Sequence, residues 1–506
     1  LQASLKRIIA RCLPWATVLV LTLAGEFVLA AGTREYYATM AKTRWLHPEG
    51  KTPISYREWL SSRPEEGAFE STAIVHLEKM AESADAPGFL IVVNSSLYPQ
   101  IQFSIDQYVA DLTAEEYAVE TFTTSGGTPE DLRAFLQDRY VEGVVGCVLI
   151  GDLPIPWYEA DWPDDGTHEE FPCDLFYMDL DGIFADTDTD GLYDSHTGDV
   201  SPEIWLGRLT ASPLIIGGVN EDSLVQNYFV KNHRYRTGDR PLDQRALVYI
   251  DDDWVPWSVE WDQNVGLAYT DRVFYNDEMT TFDEHYESRL PENYEFIQVC
   301  VHSYSGGHAF RRPGDIWGWT MSDEVVQIDP VAYFYNLFAC SNARYVEYDY
   351  MGGWYIFCDN YGLASVGSTK TGSMLEFDEF YGPFGEGLTI GEAFRDWFAA
   401  LAADGFDEWE ISWHYGMTLC GDPTLQSFDC TDFCDLNLDG NLNPLDVSYI
   451  VNFVYRQLDA RAAIERCPRG NGDWDCSGQV NPVDVAYFVN YVYKSLGDGP
   501  CDPCAP

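Results

Sequence analysis

Two stretches place a nucleophile and a base where a fold could bring them together. FIQVCVH, residues 296–302, reads as a buried strand ending on His302, and YFYNLFAC, residues 333–340, as another ending on Cys340. Acyl transfer by a thiol needs a thiolate, a base within reach, and donors for the oxyanion. A cysteine at a strand end is more often a packing residue; a histidine at a second strand end turns the pair toward catalysis. A second histidine, His308, follows a turn containing Gly306 and Gly307 and competes for the role of base. His302 is favoured because it ends the strand, whereas His308 has the glycines but lies beyond the turn.

Carboxylates supply the other chemistry. DLNLDGNLNPLDVSYIVNFVY, residues 435–455, recurs as DWDCSGQVNPVDVAYFVNYVY, residues 473–493. Each copy is a twelve-residue loop feeding an amphipathic helix. The first loop offers Asp435, Asn437, Asp439, the Asn441 carbonyl and Asp446; the second offers Asp473, Asp475, Ser477, the Gln479 carbonyl and Asp484. Hard oxygen donors at positions 1, 3, 5 and 12, with glycine at position 6, suit Ca²⁺. Two copies in register make coincidence improbable, so two calcium ions are expected. A further loop alternates Asp186, Asp188, Asp190 and Asp194 around Gly191. It is a candidate calcium loop or a solvated acidic turn, and it is no EF-hand, since its twelfth position is Thr197.

The elements that position these residues follow from the hydrophobic pattern. Between residues 86 and 159 apolar runs alternate with helical spacing: GFLIVV, IQFSIDQYVADLTAEE, YAVETF, TPEDLRAFLQDRYVE with Thr128 as helix cap, and GVVGCVLIG. ALVYIDDD, FIQVCVH, YFYNLFAC and GLASVGS resume the alternation. Such alternation predicts an α/β fold with a mostly parallel sheet and helices on both faces. In sheets of this kind chemistry sits at the carboxyl ends of strands. His302 and Cys340 lie 38 residues apart, room for one crossover helix, for which SDEVVQI is available.

Composition narrows the setting. The 506 residues carry 82 acids against 30 lysines and arginines, a formal charge of −52, with 46% hydrophobic residues. A surface of this sign repels nucleic acid and anionic membranes and attracts cations, while the apolar content is enough for a large core. Residues 1–31 read as a secretory signal peptide: Lys6, Arg7 and Arg11, an apolar run from Ala16 to Ala24, and small residues near Ala30 and Ala31. No other run is long enough to span a bilayer, so an exported chain without membrane insertion is expected. Of 13 cysteines, six crowd the tail (Cys430, Cys434, Cys467, Cys476, Cys501 and Cys504) and read as disulfides of undetermined pairing, while some earlier ones should be free thiols.

The strand ending in His, then the strand ending in Ala339-Cys340, resembles the caspase–legumain–gingipain group of cysteine peptidases. The match is to the gingipain type and covers most of residues 86–428, through VLIGDLPIP, DLFYMDLDG, PEIWLGR, YNLFACSNA, GLASVGSTKTGSM and LCGDPTLQSF. The resemblance implies a caspase-like three-layer α/β/α sandwich and a Cys–His dyad acting on a protein or peptide substrate. Cys340 would be the nucleophile, and backbone N–H groups of Cys340 and Ser303 the oxyanion donors. Ser303 stands where the group usually has glycine. From residue 429 to 506 the tail resembles a type I dockerin, which implies a small all-α calcium-binding domain docking onto a cohesin-type scaffold protein. Residues 32–85 are read as a possible prosegment. The competing reading is a non-catalytic, calcium-dependent surface or scaffold protein that retains the fold.

Overall fold

The computed structural model describes residues 36–64, 67–76, 86–314, 316–427, 434, 442–456, 472, 474 and 480–496. The expected signal peptide lies outside these residues. So do the tail ligands Asp435, Asn437, Asp439, Asn441, Asp473, Asp475, Ser477 and Gln479, and all tail cysteines except Cys434.

An eleven-stranded sheet organises the chain. In chain order its members and their companions are β1 (Glu70–Ile74), β2 (Gly88–Asn94), β3 (Ala118–Ser125), β4 (Val144–Ile150), the hairpin β5 (Trp157–Asp161) and β6 (His168–Pro172), the ribbon β7 (Ile183–Ala185) and β8 (Ser195–Thr197), and β9 (Trp205–Leu209). Then come β10 (Arg245–Ile250), β11 (Asp271–Tyr275), β12 (Phe296–Cys300), a small sheet of β13 (His302–Tyr304), β14 (Gly307–Arg312) and β15 (Ile316–Met321), β16 (Phe334–Phe338), β17 (Ala364–Ser368) and β18 (Met417–Gly421). The sheet order is β1-β3-β2-β4-β9-β18-β17-β16-β12-β10-β11. Within it only the β1–β3 and β17–β18 pairs are antiparallel.

The apolar runs form these strands because both sheet faces are covered, which favours continuous rather than alternating hydrophobicity. Strand periodicity then sorts side chains into layers. In β10, Ala246, Val248 and Ile250 join one core cluster while Leu247 and Tyr249 join the other; in β16, Phe334 and Phe338 part from Tyr335 and Leu337 in the same way. The result is an α/β sandwich. Its helices include Tyr98–Ala114, which buries Ile101, Ile105, Tyr108 and Leu112 along one face, and Pro129–Val141, which starts at a Thr128–Asp131 capping box.

Two features of the topology place the site. The runs β3-β2-β4-β9 and β11-β10-β12-β16 share one order, so each half has a switch point where the chain reverses its direction of travel across the sheet. Ligands of open α/β sheets bind at such points. Strand β18 lies parallel to β9 and antiparallel to β17, so the two halves run in opposite directions. The carboxyl ends of β10, β12, β16 and β17 therefore share one edge, to which the first half presents the amino ends of its parallel strands.

In the tail, helices Pro444–Arg456 and Pro482–Lys494 share a small core of Val447, Ile450, Trp474, Val485 and Phe488. The expected repeat is visible on their outer faces too. Leu445 and Val483, Tyr449 and Tyr487, and Tyr455 and Tyr493 are exposed in matching pairs.

Candidate functional site

Cys340 stands two residues beyond β16. Ser341 turns the chain with a left-handed φ of 52°, and Asn342 holds the turn by donating to the Leu337 carbonyl at 3.1 Å and to that of Ala339. The turn is tied to the loop after β17: Ser341 N–H donates to the Lys370 carbonyl at 2.9 Å and Ala343 N–H to that of Ser368 at 3.0 Å. The Cys340 sulfur lies 3.3 Å from Thr371 Oγ1 and 3.5 Å from Ser341 Oγ. It is fully buried, and burial, with the charge of Glu169, pushes its thiol up to about 12. In this conformation it is a thiol and not the thiolate that attacks carbonyls.

His302 stands two residues beyond β12, which pairs directly with β16 in parallel register, Cys300 opposite Phe338. The imidazole is buried between Trp254 and Trp317, with ring centroids 4.7 and 5.6 Å away. Its Nε2 lies 2.7 Å from Asp253 Oδ2, and its Nδ1 accepts the Arg44 N–H at 3.0 Å. These contacts fix the tautomer: the proton sits on Nε2 and the lone pair on Nδ1, so a carboxylate orients the imidazole as a base requires. Burial holds its pKa below the usual histidine value, against the opposing pull of Asp253. Neither nitrogen bonds the Cys340 sulfur.

Asp253 is the functional candidate that sequence reading did not single out. It follows β10 in a 3-10 turn, Asp252–Trp254, at the switch point between β10 and β12. Its other oxygen pairs with Arg311 at 3.0 Å. The signal was the acid triplet closing ALVYIDDD, which a strand-end rule could have flagged.

Ser303 links the two strand ends: its hydroxyl donates to the Cys340 carbonyl. Its N–H, the expected oxyanion donor, faces the Arg44 carbonyl at 3.4 Å. His308 lies opposite Ser303 across the β13–β14 ribbon, while His302 lies opposite Ala309. Directly paired residues share a face and neighbours alternate, so the two histidines point to opposite faces. His308 is packed among Tyr286, Phe310 and Tyr355, with no partner for either nitrogen among the described residues, and burial pushes it down to about 3.

Beside these groups lies a cavity of about 400 Å³ lined by Lys42, Thr43, Arg44, Glu169, Ser341 and Thr371 among others. Glu169 braces its wall, accepting the Thr371 N–H at 3.1 Å, the Trp162 indole N–H at 2.7 Å, and pairing with Lys370 at 3.0 Å.

The acidic loop between β7 and β8 gathers its carboxylates. Asp186, Asp188 and Asp190 each place an oxygen within 4.8 Å of the others, as do Glu159, Asp188 and Asp194. Asp186 also accepts the N–H groups of Thr189 at 2.7 Å and Gly191 at 3.0 Å. An all-oxygen donor set of this spread fits a hard cation such as Ca²⁺. In the tail, Asp446 and Asp484 are fully buried and accept the N–H groups of Asn443 at 2.7 Å and Asn481 at 2.8 Å. Among the described residues, Cys147, Cys173, Cys300, Cys340, Cys358 and Cys420 are unpaired thiols.

No family model and no curated protein matches the chain. Among solved structures, one described as "Structure of Protease" aligns at 14% identity over 68% of this chain and 79% of its own, with a TM-score of 0.47. LsrB from Clostridium saccharobutylicum in complex with AI-2 aligns at 11% identity over 63% of this chain and 82% of its own, with a TM-score of 0.16. Both are too distant for residue roles to be transferred.

Proposed function

We propose that the chain is an exported cysteine endopeptidase of the gingipain type, with a caspase-like fold and a calcium-binding, dockerin-like tail. One observation carries the reading. Cys340 and His302 follow adjacent parallel strands on one sheet edge, and a carboxylate, Asp253, orients the imidazole at that edge's switch point.

Cys340 is the nucleophile and His302 the base; His308, on the other face of its ribbon and among aromatic rings, is not. His302 Nδ1 takes the thiol proton, and the thiolate attacks the peptide carbonyl to form a C–S bond. The oxyanion is held by the Cys340 and Ser303 N–H groups. His302 returns its proton to the departing amine as the C–N bond breaks, then activates the water that hydrolyses the thioester.

Calcium fits two places. The tail repeat presents Asp446 and Asp484 buried at position 12 of their loops, and the β7–β8 loop presents Asp186, Asp188, Asp190 and Asp194. Bound there, the ion would stiffen loops that carry concentrated negative charge. The matched exposed pairs on the tail helices support attachment to a cohesin-type scaffold or cell-surface protein. Among the described residues, no helix is long and apolar enough to cross a membrane.

The test is cleavage of a fluorogenic peptide panel under reducing conditions with calcium. Cys340→Ala is compared with the parent in two backgrounds, unaltered and with Lys42, Thr43 and Arg44, which line the cavity beside the site, replaced. In the second background, turnover at least about 10³-fold above Cys340→Ala is expected. Complete burial of the sulfur, and Ser303 in the place of the group's usual glycine, favour the non-catalytic scaffold reading, and inertness in both backgrounds would overturn the peptidase reading.

A further inference from the structure

The segment from Ala41 to Leu46 crosses the site in a particular way. Trp254 Nε1–H donates to the Ala41 carbonyl at 2.7 Å. Thr43 is fully buried, and its hydroxyl accepts the Gly372 N–H at 2.8 Å. Arg44 N–H donates to His302 Nδ1, the Ser303 N–H faces the Arg44 carbonyl at 3.4 Å, and Leu46 N–H donates to the Ser303 carbonyl at 2.9 Å. Trp45 and Ser303 form a parallel bridge. Lys42 is held from the side: its ammonium pairs with Asp164 at 3.0 Å and Asp165 at 3.2 Å and sits 4.3 Å over the Trp162 ring.

The segment thus bonds β13, beside the base, on one flank and the loop after β17, beside the nucleophile, on the other. Those are the edges that an extended peptide would use for main-chain pairing. It also consumes the two groups a substrate needs most: the His302 lone pair and the Ser303 N–H. The lone pair accepts a backbone N–H, as it would meet a departing amine. The nucleophile, whose sulfur lies against Thr371 next to the Gly372 that Thr43 bonds, has no exposed surface. Because the segment belongs to the same chain, an incoming peptide must outcompete an effective concentration in the millimolar range.

We propose that residues 41–46 are an intramolecular strap that occupies the path of an extended peptide between His302–Ser303 and Thr371–Gly372, keeping the Cys340 site closed until the strap is displaced. The proposal rests on the peptidase reading for the identity of the displaced ligand. The contacts that hold the strap stand independently of that reading.

The experiment uses the full chain with Lys42→Ala, Thr43→Val and Arg44→Pro combined, which removes the ammonium, the hydroxyl and the N–H on His302. Iodoacetamide labelling is followed by peptide mapping, with buried Cys147, Cys173, Cys300, Cys358 and Cys420 as controls for folding. Cys340 should label at least about tenfold faster in the variant while the five controls stay protected. Equal Cys340 rates in the folded variant and the parent overturn the strap. If all thiols label, the variant has unfolded, and the parent chain decides. There, amide exchange of the peptide spanning residues 40–47 should quicken once Cys340 carries the adduct, which competes for the same space; unchanged exchange overturns the proposal. Faster labelling without peptide cleavage would leave the strap standing and remove the peptidase. Cleavage by the parent as fast as by the variant would do the reverse.

Discussion

At the residue scale the site depends on which imidazole nitrogen holds the proton. Asp253 takes the Nε2–H and leaves Nδ1 as the lone-pair nitrogen. Asp253→Asn keeps the shape, but its amide can bond either tautomer and carries no charge. We expect kcat for peptide cleavage to fall about 10²- to 10⁴-fold with KM little changed. Since the carboxylate charge raises the His302 pKa against burial, the limb of the pH–rate profile reporting His302 should move to lower pH. A variant with unchanged kcat and an unmoved profile would show that Asp253 does not position the base. The strand-end positions of His302 and Cys340 were legible because each closes an apolar run, a pattern that survives without knowledge of pairing. Asp253 was not, because three acids are contiguous in a chain with 82, and only the contact with His302 selects the third. The strap was illegible for a deeper reason. Nothing in AKTRWL marks it as an occupant; its role comes from contacts with residues more than two hundred positions away.

At the element scale, the parallel strands and the two long helices of the first half were readable from period and capping signals. The reversal at β18 was not, since strand direction is a property of pairing rather than of any one segment. Nor was the β13–β15 sheet, which fills the crossover that SDEVVQI alone was expected to make; helix Ser322–Ile328 does form there. The tail shows how a repeat makes elements legible twice. Asp446 and Asp484 each cap a helix through one carboxylate oxygen while closing a candidate calcium loop. Replacing both with asparagine retains the capping acceptor and removes the charge that the cation requires. Calorimetric titration of the full chain should then show two fewer Ca²⁺ ions than the parent, with helical circular dichroism in calcium-free buffer unchanged. Identical stoichiometry in the two proteins would remove calcium from the tail. The comparison is insensitive to any ion held by the β7–β8 loop, which both proteins share.

At the scale of the whole molecule, buried and half-buried titratable groups pull stability in opposite directions with pH. Burial, followed by neighbouring acids, pushes Glu221, Glu287 and Glu376 up to about 7, and burial likewise raises Asp251 to about 7. Their folded-state values exceed the unfolded ones, so the stability they permit at low pH is lost as pH rises toward 7. His308 and His414 behave oppositely. Burial pushes both down to about 3, so between about 6.5 and 3 the unfolded chain binds protons that the folded chain refuses, and stability is lost as pH falls. His308→Phe isolates one side of this balance, because Tyr286, Phe310 and Tyr355 already give the position an aromatic wall. Denaturant unfolding at pH 7, 5.5 and 4 should show the variant gaining on the parent as pH falls. The gain should approach about 1.4 kcal/mol per pH unit below the unfolded histidine value. A gap that stays constant across the three pH values would mean that His308 is protonated alike in both states, and that its burial among the rings does not persist in solution. Activity should survive the same substitution, since a base that faces Tyr286 and Tyr355 cannot also serve Cys340. Loss of turnover in a well-folded His308→Phe chain would return the choice of base to His308.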